Sequence, residues 1–241
     1  MARCTAIRRA AACMVVGVVA GSGVAMSGGT TAAAPAVVAR WEMNEPAGAS
    51  SMTDSSGNGL HGTVLSGVRT GVSWGGATGY KWAHTGPTQP PAKPDRVIRV
   101  ADDARLDPGT GTYAVEFRYR TTRSFGNVMQ KGQNKTAGGY FKFEQPKGYM
   151  TCLFKGTGGQ RAVKSPVRTN DGNWHTIRCE RSSWGVKLWV DGKLVRQLAG
   201  VTGSVSNSKP FVIGGKLECD QQSVTCDYFV GEIDWVRVTK G

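Results

Sequence analysis

Side chains that alternate in character with a period of two constrain this chain more than anything else in it. Tyr113, Val115, Phe117 and Tyr119 alternate with Ala114, Glu116, Arg118 and Arg120, and Val186, Leu188 and Val190 alternate with Lys187, Trp189 and Asp191. Successive side chains of an extended strand point to opposite faces, so each run turns one apolar face to a core and one polar face outward. The second run ends at Asp191-Gly192. Both central residues of a type I′ turn need positive φ, which Gly adopts freely and Asp tolerates, so this pair predicts a tight hairpin. Ser182-Ser183-Trp184-Gly185 marks a second turn, and residues 174–195 read as three antiparallel strands.

Shorter runs of the same kind fill the rest of the chain. Residues 37–43, 64–74, 79–82, 96–100, 128–131, 140–144, 149–155, 160–163, 210–214 and 228–238 are strand candidates, with glycine-rich turns between them. Pro87, Pro90, Pro91 and Pro94 remove residues 84–95 from any sheet interior and make them a surface loop. No stretch beyond the first 36 residues has helical periodicity. Many short strands separated by turn signals predict an all-β fold, a two-sheet antiparallel jelly-roll β-sandwich. Trp174 lies three residues before Ile177, so a regular strand cannot bury both, and a bulge or twist at its start would be needed.

The first 36 residues read differently. Arg3, Arg8 and Arg9 precede an apolar stretch from Ala10 to Ala20, no further charge occurs before Arg40, and Ala34-Pro35-Ala36 fits a small-residue cleavage site. This is the pattern of a secretory signal peptide, which leaves a single domain over residues 37–241 and a secreted, extracellular location. A retained anchor is the alternative, but glycines interrupt the apolar stretch and it falls short of the ~20 residues a span requires.

The formal charge is +13, and +10 once the three leader arginines are set aside. A cationic surface gathers anionic polymers, although single cations alternating with apolar residues are also how a solvated sheet face reads. No nucleic-acid motif is present. Cys152, Cys179, Cys219 and Cys226 remain after the leader, an even number suited to disulfides in an oxidising compartment. Cys152 shares its face with Met150 and Phe154, and Cys179 with Ile177, so a Cys152–Cys179 bridge is favoured among the three possible pairings, leaving Cys219 with Cys226. No CxxC spacing supports a zinc site.

Three stretches carry a family resemblance. Trp174-His175 followed by Trp189-Val190-Asp191-Gly192, the opening Trp41-Glu42-Met43-Asn44-Glu45 with Asp54 to Gly62, and the closing Gly231-Glu232-Ile233-Asp234-Trp235-Val236-Arg237-Val238 resemble laminin G-like domains of the concanavalin A-like lectin/glucanase superfamily. The resemblance implies the sandwich and a role in binding polysaccharide or cell-surface glycan, with anionic glycans among the candidates in view of the charge. It also implies two other readings, a glycosidase-like protein or a protein-interaction domain. Glucanases of the superfamily carry Glu-x-Asp-x-x-Glu, whereas this chain has Arg237 in the last position. Arginine stays protonated and cannot exchange the proton that glycoside hydrolysis requires, so no catalytic role is expected. His61, His84 and His175 are scattered, and no nucleophile elbow or zinc-protease motif is present.

A sugar platform needs exposed aromatics flanked by polar groups. Trp41, Trp174 and Trp235 read as core, while Trp74, Trp82, Trp184 and Trp189 are freer. The expected ligand contacts are Trp184 and Trp189 with Lys187 and Asp191, joined by Arg118 and Arg120 if their face forms the groove; the alternative is that Trp189 covers the sheet. The resemblance further implies structural calcium, with Glu45, Asp54 and Asp234 as ligands. The competing reading is that Asp54 caps its own turn and Asp234 simply occupies a strand.

Overall fold

The computed structural model describes residues 34–83, 95–218 and 227–241, which lie within one compact unit, Ala33–Gly241. The predicted leader up to residue 33, the proline-rich segment with His84, and the Cys219–Cys226 pair lie outside the described residues.

Strands are numbered in chain order. The first sheet runs β14 (Lys193–Ala199), β13 (Gly185–Val190), β12 (His175–Arg181), β7 (Tyr113–Arg120), β16 (Gly231–Lys240), β5 (Ala77–Trp82) and β4 (Val68–Trp74). β16 pairs along its length with β7, so its other edge is shared between β5 at one end and β1 (Ala36–Trp41) at the other. The second sheet runs β11 (Gly159–Lys164), β10 (Thr151–Gly156), β9 (Tyr140–Glu144), β8 (Asn127–Lys131), β15 (Phe211–Ile213), β6 (Ile98–Val100), β3 (Gly62–Val64) and β2 (Ser51–Met52). All named strand pairs are antiparallel. The architecture is the predicted jelly-roll sandwich.

The inward faces supply an aromatic core. Across the gap Tyr113 meets Phe141 at 5.5 Å, Phe117 meets Phe143 at 6.3 Å, and Trp41 meets Phe211 at 5.5 Å between ring centroids. Such contacts and the burial of these rings supply the bulk of the favourable folding free energy. The predicted Cys152–Cys179 disulfide is present, with a Cα–Cα distance of 5.7 Å, and joins β10 of one sheet to β12 of the other. Asp191 and Gly192 both have positive φ, 50° and 74°, as the hairpin reading requires.

Several boundaries move for identifiable reasons. Residues 64–74 are two strands in different sheets: at Gly67 the backbone donates to the Asp95 carbonyl at 2.8 Å, and a Cβ there would lie 2.9 Å from that oxygen. The chain changes sheet at this close approach. Residues 102–111 contain a 3₁₀ turn, Ala104–Leu106, capped by the Asp103 carboxylate.

Three tryptophan assignments are corrected. Trp174 precedes β12 and is only half-buried, on the opposite face from Ile177, so the parity conflict disappears without a bulge. Trp235 is half-buried at an irregularity in the β16–β7 register and turns outward with Asp234, whereas Ile233 and Val236 fill the core. Trp82, read as freer, is buried against Phe229.

Candidate functional site

The outward face of β8, β9 and β10 forms the floor of a groove of about 500 Å³. Strand parity puts Tyr140, Lys142 and Glu144 of β9 on this face, because Phe141 and Phe143 between them enter the core. Leu153 of β10 lies beside Lys142 in register, and Gln130 of β8 lies on its other side. Phe125, which is 39% exposed, stands in the loop before β8; Gln133 and Asn134 rise from the turn after it; Lys216 and Asp227 approach from the connection between β15 and β16. Two further hollows adjoin: one of about 330 Å³ that shares Gln130 and Gln133, and one of about 630 Å³ that shares Gln133 and Asn134.

The lining is polar but not saturated. Lys142 and Glu144 pair at 2.6 Å, and Lys216 pairs with Asp227. Asn127 donates to the Gln130 side-chain oxygen, which orients the Gln130 amide and leaves its NH₂ group available. The Tyr140 hydroxyl and the Gln160 amide have no partner among the described residues. Directed donors and acceptors over a sheet, with one exposed ring at the mouth, can hold a ligand rich in hydroxyl groups.

The residues expected from sequence to bind ligand sit elsewhere, on the outward face of the first sheet. Arg118 pairs with Asp234 at 2.5 Å and lies over the Trp174 ring at 4.7 Å. Arg120 pairs with Glu232 at 2.5 Å and lies against both Trp174 and Trp74, whose centroids are 4.7 Å apart. Trp189 is covered by Arg178, Lys187 reaches over Trp184 at 5.3 Å, and Trp184 is 44% exposed in its turn. Asp191 turns back to accept from the Thr176 amide at 2.8 Å and contacts His175 Nδ1 at 2.8 Å. This face therefore carries a ladder of arginine–carboxylate pairs beside its rings, with Trp184 left exposed in its turn.

The three carboxylates proposed for calcium are not brought together. Asp54 accepts from the backbone amides of Arg40, Ser56 and Leu60 and from the Ser56 hydroxyl, at 2.9–3.0 Å. Glu45 accepts from the Thr53 amide and the Tyr80 hydroxyl, each at 2.5 Å, and Asp234 belongs to Arg118. Calcium needs about six to eight oxygens with free lone pairs, and these residues do not fit it. No group of three acidic, histidine or cysteine side chains suited to a metal occurs among the described residues.

The glucanase-like fragment is equally engaged. Burial raises the Glu232 pKa, but the contacts from Arg120 and Lys81 outweigh it and hold the carboxyl below its ordinary value. Arg237 pairs with Glu116. A carboxylate held ionised by two cations is a poor proton donor, and no second acid faces it in the position Arg237 occupies.

His175 forms a clamp between two turns, with Nε2 3.0 Å from Asp171 and Nδ1 2.8 Å from Asp191. Burial disfavours its charge, yet the hydrogen bonds from Asp191 and Asp171 prevail and raise its pKa above the ordinary histidine value. A pKa raised by folding means stability that is complete below the unfolded value of about 6.5 and is lost as pH rises through the folded value. Stability is therefore expected to fall as pH rises above about 6.5, by less than about 1 kcal/mol because both carboxylates are exposed, and thermal unfolding at a series of pH values reads it. His175→Gln should abolish that part of the pH dependence; an unchanged slope would show that the clamp contributes nothing.

Comparison with known proteins agrees with the architecture. Residues 92–241 match the Laminin_G_3 family model of the concanavalin A-like lectin/glucanases superfamily. Over 105 residues the chain is 30% identical to sex hormone-binding globulin of Phodopus sungorus, which covers 42% of this chain and 26% of that protein, so the chain spans about a quarter of that relative's length. The binding domain of Paraclostridial Mosquitocidal Protein 1 superposes with a TM-score of 0.59 at 13% identity, over 85% of this chain and 47% of the other. Domain 4 of AbnA, an extracellular arabinanase of Geobacillus stearothermophilus, in complex with arabinotriose, gives 0.56 at 16% identity, over 86% of this chain and 93% of the other. With its sandwich, its core and the family match in agreement, the chain belongs to the concanavalin A-like lectin/glucanases superfamily, in its laminin G-like branch.

Proposed function

We propose that this protein is a secreted, non-catalytic module that binds polysaccharide or cell-surface glycan in the groove over its second sheet. The observation that carries this reading is the groove itself: Gln130, Gln133, Asn134, Tyr140 and Gln160 converge there with polar groups, beside the exposed ring of Phe125. Sugars present hydroxyls that need directed partners and C–H faces that pack on aromatic rings, and this lining offers both. The family's binding modules and the arabinotriose held by the AbnA domain are consistent with it. The leader-like first 36 residues support export, and among the described residues no helix is long and apolar enough to cross a membrane.

Glycan-array binding followed by titration calorimetry tests the proposal. Phe125→Ala combined with Gln130→Ala is expected to weaken the bound glycan by about tenfold or more, the loss of roughly 1.4 kcal/mol. Trp184→Ala with Trp189→Ala should leave affinity unchanged. The reverse pattern would move the site to the first sheet, and no glycan binding by the wild-type protein would reject the function.

A further inference from the structure

We propose that the open edge strand β14 is a docking site for an extended peptide alternating acidic and apolar residues, which adds to the first sheet as a further antiparallel strand. The edges of the two sheets are not alike. β1 is closed off by residues 54–58, where the Asn58 and Ser56 side chains donate to the Val38 carbonyl at 2.9 and 3.3 Å. β4 is bulged between Arg69 and Val72, where Thr70 donates to the Pro46 carbonyl at 2.7 Å, and β2 has only two residues. β11 carries no exposed large apolar side chain. β14, by contrast, is seven residues long, pairs with β13 alone and is exposed at every position but Val195. Trp184, Leu194, Leu198 and Val201, four of the seven large apolar side chains exposed among the described residues, lie on this strand or at its C-terminal end.

The register determines which backbone groups of β14 are free. Gly200 donates to the Trp184 carbonyl at 2.9 Å, and Leu198 and Arg196 pair in step with Val186 and Leu188. Bonded residues alternate in an antiparallel ladder, so Gln197 and Ala199 aim their N–H and C=O groups away from β13 and offer two donors and two acceptors to an incoming strand. Charge selects the occupant. β11, β13 and β14 bear Arg161, Lys164, Lys187, Lys193 and Arg196 and no acidic residue, while Asp191 in the intervening turn accepts from the Thr176 amide. A second copy paired through the same edge would bring Lys193 and Arg196 of both chains to one seam with no acid to answer them, an arrangement that cross-strand pairing penalises. Leu194 stands beside Trp189 on the outer face of the sheet, whereas Arg196 stands beside Leu188 on the inner. A strand with apolar side chains on one face and carboxylates on the other matches both.

Fluorescence anisotropy of the full chain with a labelled peptide alternating glutamate and valine tests the proposal. The controls are a peptide of the same composition with its glutamates in one block and a peptide alternating lysine and valine. The alternating acidic peptide is expected to bind at least about tenfold more tightly than either control and to slow amide hydrogen exchange at Gln197 and Ala199. Gln197→Pro removes an outward donor without breaking a bond to β13, so it should weaken binding about tenfold while the unfolding midpoint holds. Lys193→Glu with Arg196→Glu should reverse the preference toward the lysine peptide, and it decides the matter if the proline variant fails to fold. Phe125→Ala with Gln130→Ala should leave peptide binding unchanged, which separates this edge from the groove. Equal binding of the three peptides, or affinity untouched in a folded Gln197→Pro variant, overturns the strand pairing. Dextran sulfate bound more tightly than the peptide, and as tightly by Gln197→Pro, makes the edge a general polyanion surface and overturns it too. Concentration-dependent dimers abolished by Gln197→Pro would make a second copy the occupant and overturn the peptide.

Discussion

Lys131→Met is expected to destabilise the domain by about 3–5 kcal/mol, measured by urea unfolding, because it strands buried carboxylate charge. Lys131 lies on β8 with no solvent exposure, opposite Phe141, so its stem enters the aromatic core. Its ammonium reaches the end of the sandwich, where it contacts Asp107 at 2.7 Å and Asp102 at 2.8 Å and donates to the Asn207 carbonyl. Asp107 also accepts from the Ser206 hydroxyl at 2.9 Å, so this one centre ties the segment before β7 and the segment before β15 to β8. Methionine fills the volume but leaves Asp107, whose side chain is 9% exposed, without its cation. Adding Asp107→Asn should recover much of the loss, since a neutral amide needs no counter-charge. A single-variant cost below about 1 kcal/mol would show that the carboxylates rehydrate easily and that the centre is not interior in effect.

Removing the disulfide is expected to cost about 3.5 kcal/mol, the loop-closure value for its sequence separation of 27. For a domain of this size that corresponds to a fall of roughly 10 °C in unfolding temperature. The bridge joins the two sheets, so its loss frees β10 from β12 in the unfolded chain while the native contacts around both buried sulfurs persist. Scanning calorimetry of Cys152→Ala with Cys179→Ala, compared with the reduced wild type, checks the size. A change of only a few degrees would mean that the unfolded chain is already compact at this point.

Much of the fold was legible in local pattern. The strands Tyr113–Arg120 and Tyr140–Glu144 have the bounds that alternation predicts, and the Asp191-Gly192 turn has the backbone its residues favour. The Cys152–Cys179 pairing followed from the same parity, because both sulfurs had to share faces with core residues. Where local pattern misled, the cause was a change of direction that alternation does not encode. Gly67 marks the point at which residues 64–74 pass from one sheet to the other. The shift in register at Asp234 and Trp235 likewise puts both outward, so apolar neighbours in sequence did not make Trp235 core.

The site was less legible. Alternation put Arg118, Arg120, Lys187 and Trp189 on one outward face correctly, but could not say that Asp234 and Glu232 stand on the neighbouring strand to answer its two arginines. The groove residues carried a signal of their own, since Tyr140, Lys142 and Glu144 alternate with Phe141 and Phe143. Phe125, Gln133 and the Lys216–Asp227 pair come from three separate connections, and nothing in their local sequence says that they converge.

The sequence alone determined that side chains from the first strand onward divide between a core and two outer faces, because that division depends only on the two-residue repeat of an extended backbone. Tertiary structure decided which outward arginines meet a carboxylate and over which sheet a groove opens. That depends on which strands become neighbours and where loops between distant residues meet, and those relations are set by packing across the whole sandwich.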